Sequence, residues 1–464
     1  MQKNILVNVY DTDGLVGFLN ELNKKYDCCI FAAEENEEFL NENGFKTKCM
    51  SEFSEEYSPD MVICNFFPAE KYEDRNADKD EIIENINAQA LTLLTAAVKN
   101  HHETLIVSSK KDYDEVLTRI REGKIDEEYL FAASQNGLAK IAEYTTGLAV
   151  SVCDKDKLFV LGGIKDGDLV YGENPHQKAS LYSHKQVDYE VLNGKQLSYN
   201  NFLDMSLAVS IVSEFYDVCA AAITKHSMPC GVALGSTIFD AFQKAVDCDP
   251  VSSFEGIAAF SGKIDEQLAK NLSSLMLEIV IAPDFSEKAL EILKQKDLKI
   301  VKLNTPLKDY GKFISKDVKV TPFGVLVQEA DKSRLEKESF NVVSKKKPTT
   351  EMVEDMVFAW KVSKHTRSNS AVVVKDLKTV GICQGETARV DAIEKALDRA
   401  CENSKDAILA TDGFLSTAEG IQAAIQARIS GIIQPGVKDK QLIKIADKYE
   451  LVMITTGIRQ FRNQ

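Results

Sequence analysis

The sequence has no pair of cysteines at C-x-x-C spacing, although ten cysteines are scattered along its 464 residues. That argues against both a zinc site and a disulfide framework, so the thiols read as buried and free in a reducing compartment. Positive charge is also scarce: 56 Lys and Arg stand against 71 Asp and Glu, a net charge of −15 at pH 7. Such a chain lacks the electrostatic footprint of a nucleic-acid binder. The short run Lys345-Lys346-Lys347 beside Pro348 reads as solvated surface. No apolar run is long enough to span a bilayer, and the start MQKNILVNVY goes directly into a strand rather than a signal peptide. The expectation is a cytoplasmic protein with neither membrane nor nucleic acid as partner. At 44% hydrophobic residues, the chain has ample material for two or three domains.

What is present is an alternation of strands and helices. Residues 5–9, 28–33, 60–66 and 104–108 read as strands, and residues 14–23, 81–99, 111–122 and 126–146 as helices. Short connections between alternating elements imply a parallel sheet with helices on its faces. The turn after the second strand, Ala32-Ala33-Glu34-Glu35-Asn36, has no glycine to bring backbone N–H groups to a phosphate, and its two carboxylates would repel one. A charged, glycine-bearing stretch from residue 153 to 165 marks a domain boundary, giving domains 1–152 and 153–464.

The second domain is organised around residues 221–235, AAITKHSMPCGVALG. An apolar strand runs into Lys225 and His226, and Pro229, which cannot donate to a ladder, is expected to close it. A charged pair at the carboxyl end of a buried strand sits where open α/β sheets bind ligands. Before it, Gly172 and Asn174-Pro175 form a turn between Tyr171 and His176. Asn193-Gly194 signals a hairpin, and Asn200, Asn201 and Asp204 crowd a helix start, where such residues are usually caps. Residues from about 286 to 350 look less regular and lysine-rich. The loops of 169–285 and 363–464 alternate in a similar way, hinting at two related α/β units, about 160–345 and 350–464, without a residue-by-residue repeat.

Ten stretches in order, YGENPHQ, LNGKQLSYNN-LD, KHSMPCG, DPVSSF-GI-AF, EIVIAPDFSEKALEIL, SNSAVVVK, ARVDA, ATDGF, IIQPG and TGIRQF, resemble the family that joins AICAR transformylase to IMP cyclohydrolase. The resemblance covers residues 160–464 and implies an α/β fold: a methylglyoxal-synthase-like parallel-sheet domain followed by two cytidine-deaminase-like α/β units. It implies a homodimer with shared active sites. Each would transfer a formyl group from 10-formyltetrahydrofolate, as co-substrate, to the 5-amino group of AICAR. The zinc signature of true deaminases, H-x-E with P-C-x-x-C, is missing, which agrees with transfer that uses no catalytic metal.

By that resemblance His226 is the base or proton shuttle, Lys225 its cationic partner, and Asn369 holds the formyl oxygen or the carboxamide. Tyr171, His176, Asn201, Phe254, Glu278 and Arg389 fall at positions that bind or orient AICAR, and Arg459 suits its phosphate. Val390, Phe414 and Glu419 fall in the folate pocket. The resemblance includes a potassium site, for which Thr366, Ser368, Ser370 and Asp412 supply hard oxygen donors, though their spacing equally describes an ordinary turn.

There are departures. Val170 replaces an arginine, Glu255 stands where a glycine is usual, and the aromatic FFPF segment has become Phe414-Leu415-Ser416-Thr417-Ala418-Glu419. In the first domain the family's STGGT loop aligns with Ala32-Ala33-Glu34-Glu35-Asn36, and its DGRVKTLHP stretch is missing. NLYPF has become Asn65-Phe66-Phe67-Pro68-Ala69, and ENIDIGGPT has lost its aspartate and glycines at residues 84–92. Lys99 alone stands at a family site position. The expectation is a formyltransferase with a disabled cyclohydrolase domain. The alternatives are an enzyme that keeps both activities and an idle purine-nucleotide-binding relative.

Overall fold

The computed structural model describes residues 2–53, 58–67, 78–153, 158–183, 187–313, 315–335, 340–415, 417–437 and 439–463. They fall into two compact units, Met1–Ile164 and Lys165–Gln464.

In the first unit, strands β1 (Gln2–Val9), β2 (Asp27–Ala32), β3 (Thr47–Cys49), β4 (Met61–Asn65) and β5 (Leu105–Val107) form one parallel sheet in the order β3-β2-β1-β4-β5. Strand β1 is central and apolar on both faces, with Ile5, Leu6, Val7 and Val9 all buried, as a strand covered by helices on both sides must be. The single helix expected over residues 81–99 is two, Lys79–Glu84 and Ala88–Lys99. Asn87 starts the second, its side chain accepting from the Ala90 N–H at 2.8 Å, because a local side-chain partner competes with helix continuation.

The second unit contains a mixed sheet of twelve strands. Beside it lies a small pair, β6 (Ile164–Asp168) and β7 (Ser180–Ser183). Its first half comprises β8 (Tyr189–Asn193), β9 (Ala220–Lys225), β10 (Met228–Leu234), β11 (Ile257–Phe260), β12 (Ile279–Ala282) and β13 (Lys299–Leu303). An exposed hairpin follows, β14 (Lys316–Thr321) with β15 (Gly324–Glu329). The second half comprises β16 (Asn341–Val342), β17 (Ala371–Lys375), β18 (Lys378–Cys383), β19 (Ile408–Thr411), β20 (Gly431–Gln434) and β21 (Val452–Thr455).

The halves are built to one plan. In the first, β9 pairs antiparallel with β10 and β11, while β11, β12 and β13 run parallel and β8 closes against β13. In the second, β17, β18, β19, β20, β21 and β16 repeat each of those pairings. The two meet antiparallel at β10 and β18, where Ala233 lies opposite Lys378 and Thr379 Oγ1 bonds the Val232 backbone. One apolar layer spans both halves under the helices Tyr199–Ser213 and Thr350–Ser363, while the opposite sheet face carries a separate core for each half. The relation between halves hinted at by the loops is thus a repeat of architecture.

Three local expectations are corrected. Pro229 does not close its strand: it lies inside β10, at the bulge between Pro229 and Gly231, which is where a strand tolerates a residue without an N–H. The true end of β9 is a two-residue turn at His226 and Ser227, both with φ near 55° (55° and 57°). Asn193-Gly194 makes no hairpin, since β8 pairs with β13 and Gly194, at φ 101°, lies against the Lys299 backbone. The stretch 286–350, expected to be less regular, carries helix Glu287–Leu293 and strands β13 to β16 among its described residues.

A largely buried ion pair ties the halves together at the carboxyl ends of the two long helices. Lys364 Nζ lies 3.0 Å from Glu214 Oε1, and Lys361 Nζ donates to the Glu214 carbonyl at 2.7 Å. Burial alone would raise the Glu214 carboxyl, but His365 and Lys364 outweigh it and hold it below the usual carboxylate range. Burial pushes the His365 imidazole down, so at neutral pH the charge partner is Lys364. A depressed folded-state pKa contributes stability above the ordinary carboxylate value, and that stability is lost as pH falls toward the depressed one. Glu214→Gln is expected to destabilise the protein by about 3 kcal/mol at pH 7, leaving the largely buried Lys364 with the Ser333 carbonyl but without the charge of Glu214. Denaturant titrations from pH 7 to 3 should also show a flatter acid limb than the parent; an unchanged midpoint would refute this.

Candidate active site

Strand polarity gathers the chemistry at one edge of the large sheet. Because β9 is antiparallel to β11, its end lies where β11, β12 and β13 begin. Because β10 is antiparallel to β9 and β18, and β17 to β18, that same edge receives the end of β18 and the start of β17. Strands β19, β20 and β21 end there too. Lys225, His226, Phe254, Glu278, Asn369, Asp412 and the segment 456–461 therefore share one edge.

The first cluster surrounds the β9 turn. Lys225 Nζ donates to the Phe254 carbonyl at 2.5 Å and lies 5.8 Å from the Phe254 ring centroid. His226 projects from the turn and is exposed. Asp204, from the buried helix Tyr199–Ser213, accepts the N–H of His226 at 3.1 Å and the N–H of Ser227. Asn201 is both cap and site residue. Its Oδ1 accepts the Ser198 N–H at 3.1 Å in a capping box, which leaves Nδ2 to donate to Glu278 Oε1 at 2.8 Å. Lys299 Nζ reaches the same oxygen at 2.8 Å. Burial pushes the Glu278 carboxyl up, but Lys299, Asn201 and the charge of Lys225 hold it below its ordinary range. It is an anion at neutral pH.

The second cluster centres on Arg389, the first residue of helix Arg389–Ala400. Its Nη2 donates to Asn369 Oδ1 at 2.6 Å and lies 3.3 Å from Asp412 Oδ1, while Nη1 donates to the Phe414 carbonyl at 3.1 Å. Gly413 leaves room for this packing, since a Cβ there would press on the guanidinium and lie 2.6 Å from the Phe461 ring, so either side chain would have to shift. Arg389 and Arg459 both lie over that ring, with centroid distances of 5.5 Å and 4.3 Å. Phe414 packs against Gly436, Val390 follows Arg389 into the helix, and Glu419 is exposed in the first turn of helix Ala418–Gln426. Ser416 lies outside the described residues.

Thr366, Ser370 and Asp412 are fully buried, with Thr366 Oγ1 donating to Ser370 Oγ at 2.6 Å and Ser370 N–H donating to Asp412 Oδ1 at 2.9 Å. Asp412 Oδ2 and Ser363 Oγ are buried without a hydrogen-bond partner. Ser368 Oγ instead accepts the Arg462 N–H at 3.0 Å. The donors that remain suit an alkali cation, which takes oxygen ligands and would satisfy a carboxylate oxygen that is otherwise costly to bury.

The loop bearing Tyr171 and His176 is tied to the start of helix Tyr199–Ser213, since Asn200 Nδ2 donates to the Glu173 carbonyl at 3.2 Å. His176 itself is exposed. The Lys225 and Asn369 clusters stand two strands apart, across β10 and β18, so about 14 Å of sheet separates them. The sequence motifs contain most of these positions, but they leave out Lys299, read Asp204 only as a cap, and give Phe461, the last residue of TGIRQF, no role.

The first unit gives a different picture at its strand ends. After β2, Ala33 leads into helix Glu34–Glu42, whose first turn holds Glu34, Glu35 and Glu37. Asn36 is buried and turns back on β1, its side chain accepting the Val9 N–H and donating to the Val9 carbonyl, both at 2.8 Å. Asn65 likewise accepts the N–H groups of Tyr10 and Asp11. Lys99 occupies the last turn of a helix that leads into β5, at the edge away from these loops.

Among the described residues, no group of three or more His, Cys, Asp and Glu is placed to hold a metal, and no helix is long and apolar enough to cross a membrane. Residues 97–399 match the family described as "AICARFT/IMPCHase bienzyme". The "Bifunctional purine biosynthesis protein PurH" of Caldicellulosiruptor saccharolyticus is 38% identical, covering 99% of this chain and 91% of that one. The protein of the same name from Caldicellulosiruptor bescii is 35% identical, with 100% of each chain covered. That from Aquifex aeolicus is 37% identical over 87% of this chain and 82% of its own. The solved structure titled "Crystal structure of ForH" superposes with a TM-score of 0.28 at 15% identity, over 32% of this chain and 98% of that one, too little to argue from.

Proposed function

Since the chain belongs to the AICARFT/IMPCHase bienzyme family, and so is an enzyme of purine biosynthesis, we propose that it transfers a formyl group from 10-formyltetrahydrofolate to the 5-amino group of AICAR, giving FAICAR, and has lost the closure to IMP. The supporting observation is the sheet edge that sets Lys225 and His226 beside an anionic Glu278 and in line with the Asn369–Arg389 pair. The two unit types implied by the resemblance, methylglyoxal-synthase-like and cytidine-deaminase-like, belong to the same proposal.

The chemistry asks for these groups. The AICAR amine is conjugated and weakly nucleophilic, and it must lose a proton as its nitrogen bonds to the formyl carbon. His226, exposed and held by its turn, is the base for that proton. The carbonyl oxygen gathers negative charge in the tetrahedral intermediate, and Lys225 is the cationic donor beside it. Collapse breaks the bond to N10 of the folate, which leaves with the proton that His226 returns. Asn369, fixed by Arg389 and by its own bonds to Glu386 and Thr387, orients the carboxamide or the formyl oxygen. Arg459 suits the phosphate as a charged fork. Phe414, Val390 and Glu419 would flank the pterin. The deciding assay incubates pure protein with AICAR and 10-formyltetrahydrofolate and follows FAICAR and IMP separately; absence of FAICAR would refute the reading.

The gap between clusters bears on assembly. A spacing of about 14 Å is too wide for His226 and Asn369 to meet on one reacting atom, which favours a homodimer whose second copy completes each site. The hairpin β14–β15 supplies exposed apolar surface for such a contact: Phe323 is 101% exposed and Val320 84%. A lone two-stranded hairpin of this kind is marginal without a partner. Sedimentation should give a dimer at the concentrations of the assay; an active monomer would overturn this.

Potassium is proposed at Thr366, Ser370 and Asp412, where it would place positive charge beside the buried carboxylate. At a hundredfold excess over its dissociation constant such an ion stabilises by about 3 kcal/mol. Replacing potassium by tetramethylammonium should therefore lower Tm, and Asp412→Asn should abolish the difference. Equal melting in both salts would remove the ion.

A further inference from the structure

The repeated architecture supplies an internal control for the β9 turn. The sequence Lys225-His226-Ser227 has its counterpart in Lys375-Asp376-Leu377, the turn between β17 and β18. The central residues of both turns are left-handed: φ is 55° and 57° in the first, 53° and 56° in the second. Two-residue turns of this hand favour Asn-Gly or Asp-Gly, and side chains held there persist only when the surroundings over-determine them. In each half the same device holds them. Asp204 accepts the N–H groups of His226 and Ser227, and Asp355 those of Asp376 and Leu377, the latter at 3.1 Å and 2.7 Å. Each aspartate stands six residues beyond its helix N-cap, Ser198 or Thr349.

The copies agree further. Lys225 donates to the Phe254 carbonyl and Lys375 to the Lys405 carbonyl, at 2.5 Å and 2.8 Å. The residue after each carbonyl is again left-handed, Glu255 at 57° and Asp406 at 62°. What differs is the chemistry around the turn. Where the first half has Asn201 and Glu278, the positions matched by strand register and helix cap hold Met352 and Ser430. Antiparallel joining at β10 and β18 puts the second turn on the opposite sheet edge. One clamp thus exists twice, once beneath a histidine and once beneath an aspartate.

We infer that Asp204 is a positioning residue of the reaction, fixing the backbone of His226 so that its imidazole stands at the sheet edge. The inference rests on the reading of His226 as the base, and it goes beyond it by assigning the group through which that base is held. Asp204 touches neither substrate nor reacting atoms; it acts through the turn. Its counterpart Asp355 performs the same mechanical task where there is no histidine to position.

The test compares Asp204→Asn with Asp355→Asn in the full-length protein. A single amide oxygen cannot keep both N–H groups in the grip that two carboxylate oxygens provide. Both variants should therefore lose similar thermal stability. Only Asp204→Asn should lower kcat for formyl transfer, by about 10- to 100-fold, with the KM for AICAR little changed. In a His226→Ala background the same substitution should lower kcat no further, because a group acting through His226 has nothing left to position. Equal kcat in the two single variants, or a further loss in the His226→Ala background, would overturn the inference.

A readout independent of turnover separates this outcome from failure of the formyl-transfer reading. The His226 and Ser227 amides, followed by hydrogen exchange in NMR, should exchange faster in Asp204→Asn than in the parent, since one amide oxygen replaces two carboxylate acceptors. In Asp355→Asn the same two amides should exchange as in the parent. A protein that makes no FAICAR yet shows this faster exchange would refute the reaction and keep the clamp. Unchanged exchange in Asp204→Asn would refute the clamp whatever the reaction.

Discussion

His226→Ala is expected to lower kcat for FAICAR formation by ~10²–10⁴-fold, the usual loss when a general base is removed. The AICAR amine becomes acidic only as it bonds to the formyl carbon, so without a base at that moment the proton must go to water. Histidine is the side chain whose ordinary pKa suits this exchange near neutral pH. The fold should survive, because His226 is exposed on a turn whose N–H groups are held by Asp204 whatever the side chain. Lys225→Ala is expected to lose as much by another route, since it removes the cation beside the developing oxyanion. Lys225 also touches the Phe254 carbonyl, so Lys225→Met, which keeps the packing of the stem, is the better comparison. Steady-state kinetics with both substrates decide the matter. If His226→Ala retains near-parental kcat, the base lies elsewhere and the idle-relative reading gains.

Part of this edge was legible because Lys225 and His226 are contiguous. Lys225-His226 follows directly on a buried apolar strand, and the strand-end reading located the edge where Glu278, Asn369 and Arg459 also gather. Pro229 misled because a proline inside a strand is uncommon, and only the bulge in β10 accommodates it. The break at Asn85–Asn87 went unseen because the flanking residues are ordinary helix formers. Asp204 read as a cap, yet the cap is Ser198, with Asn201 as its reciprocal partner. Its real task, holding a turn more than twenty residues away, has no local signal. The duplication was equally hidden. What the halves share is a pairing scheme and a few groups, such as Lys225 with Lys375 and Asp204 with Asp355, while around them Asn201 and Glu278 give way to Met352 and Ser430. Lys299 lies outside every motif and reaches Glu278 only through the pairing of β12 with β13.

Given synthetic FAICAR, the pure protein is expected to produce no IMP. Ring closure must hold the FAICAR phosphate and press its formamide against the carboxamide nitrogen. Helix N-termini with glycine-rich entries hold phosphates through free N–H groups and a positive dipole end. Here that end, the start of helix Glu34–Glu42, is already met by Glu34, Glu35 and Glu37. Each carboxylate repels a phosphate charge by about 1 kcal/mol at 4 Å in water, and more once desolvated. The loop is also committed elsewhere, because the buried Asn36 side chain bonds both backbone groups of Val9. Asn87 is committed to capping a helix, Phe67 has no hydroxyl to donate, and Lys99 stands at the far edge of the sheet. Disabling the formyltransferase with Lys225→Met removes any ambiguity about which unit acts. Absorbance should then show only the uncatalysed rate with FAICAR as substrate, in the parent and the variant alike. Protein-dependent IMP formation that persists in Lys225→Met would mean that the first unit still closes the ring, with groups other than those of its relatives.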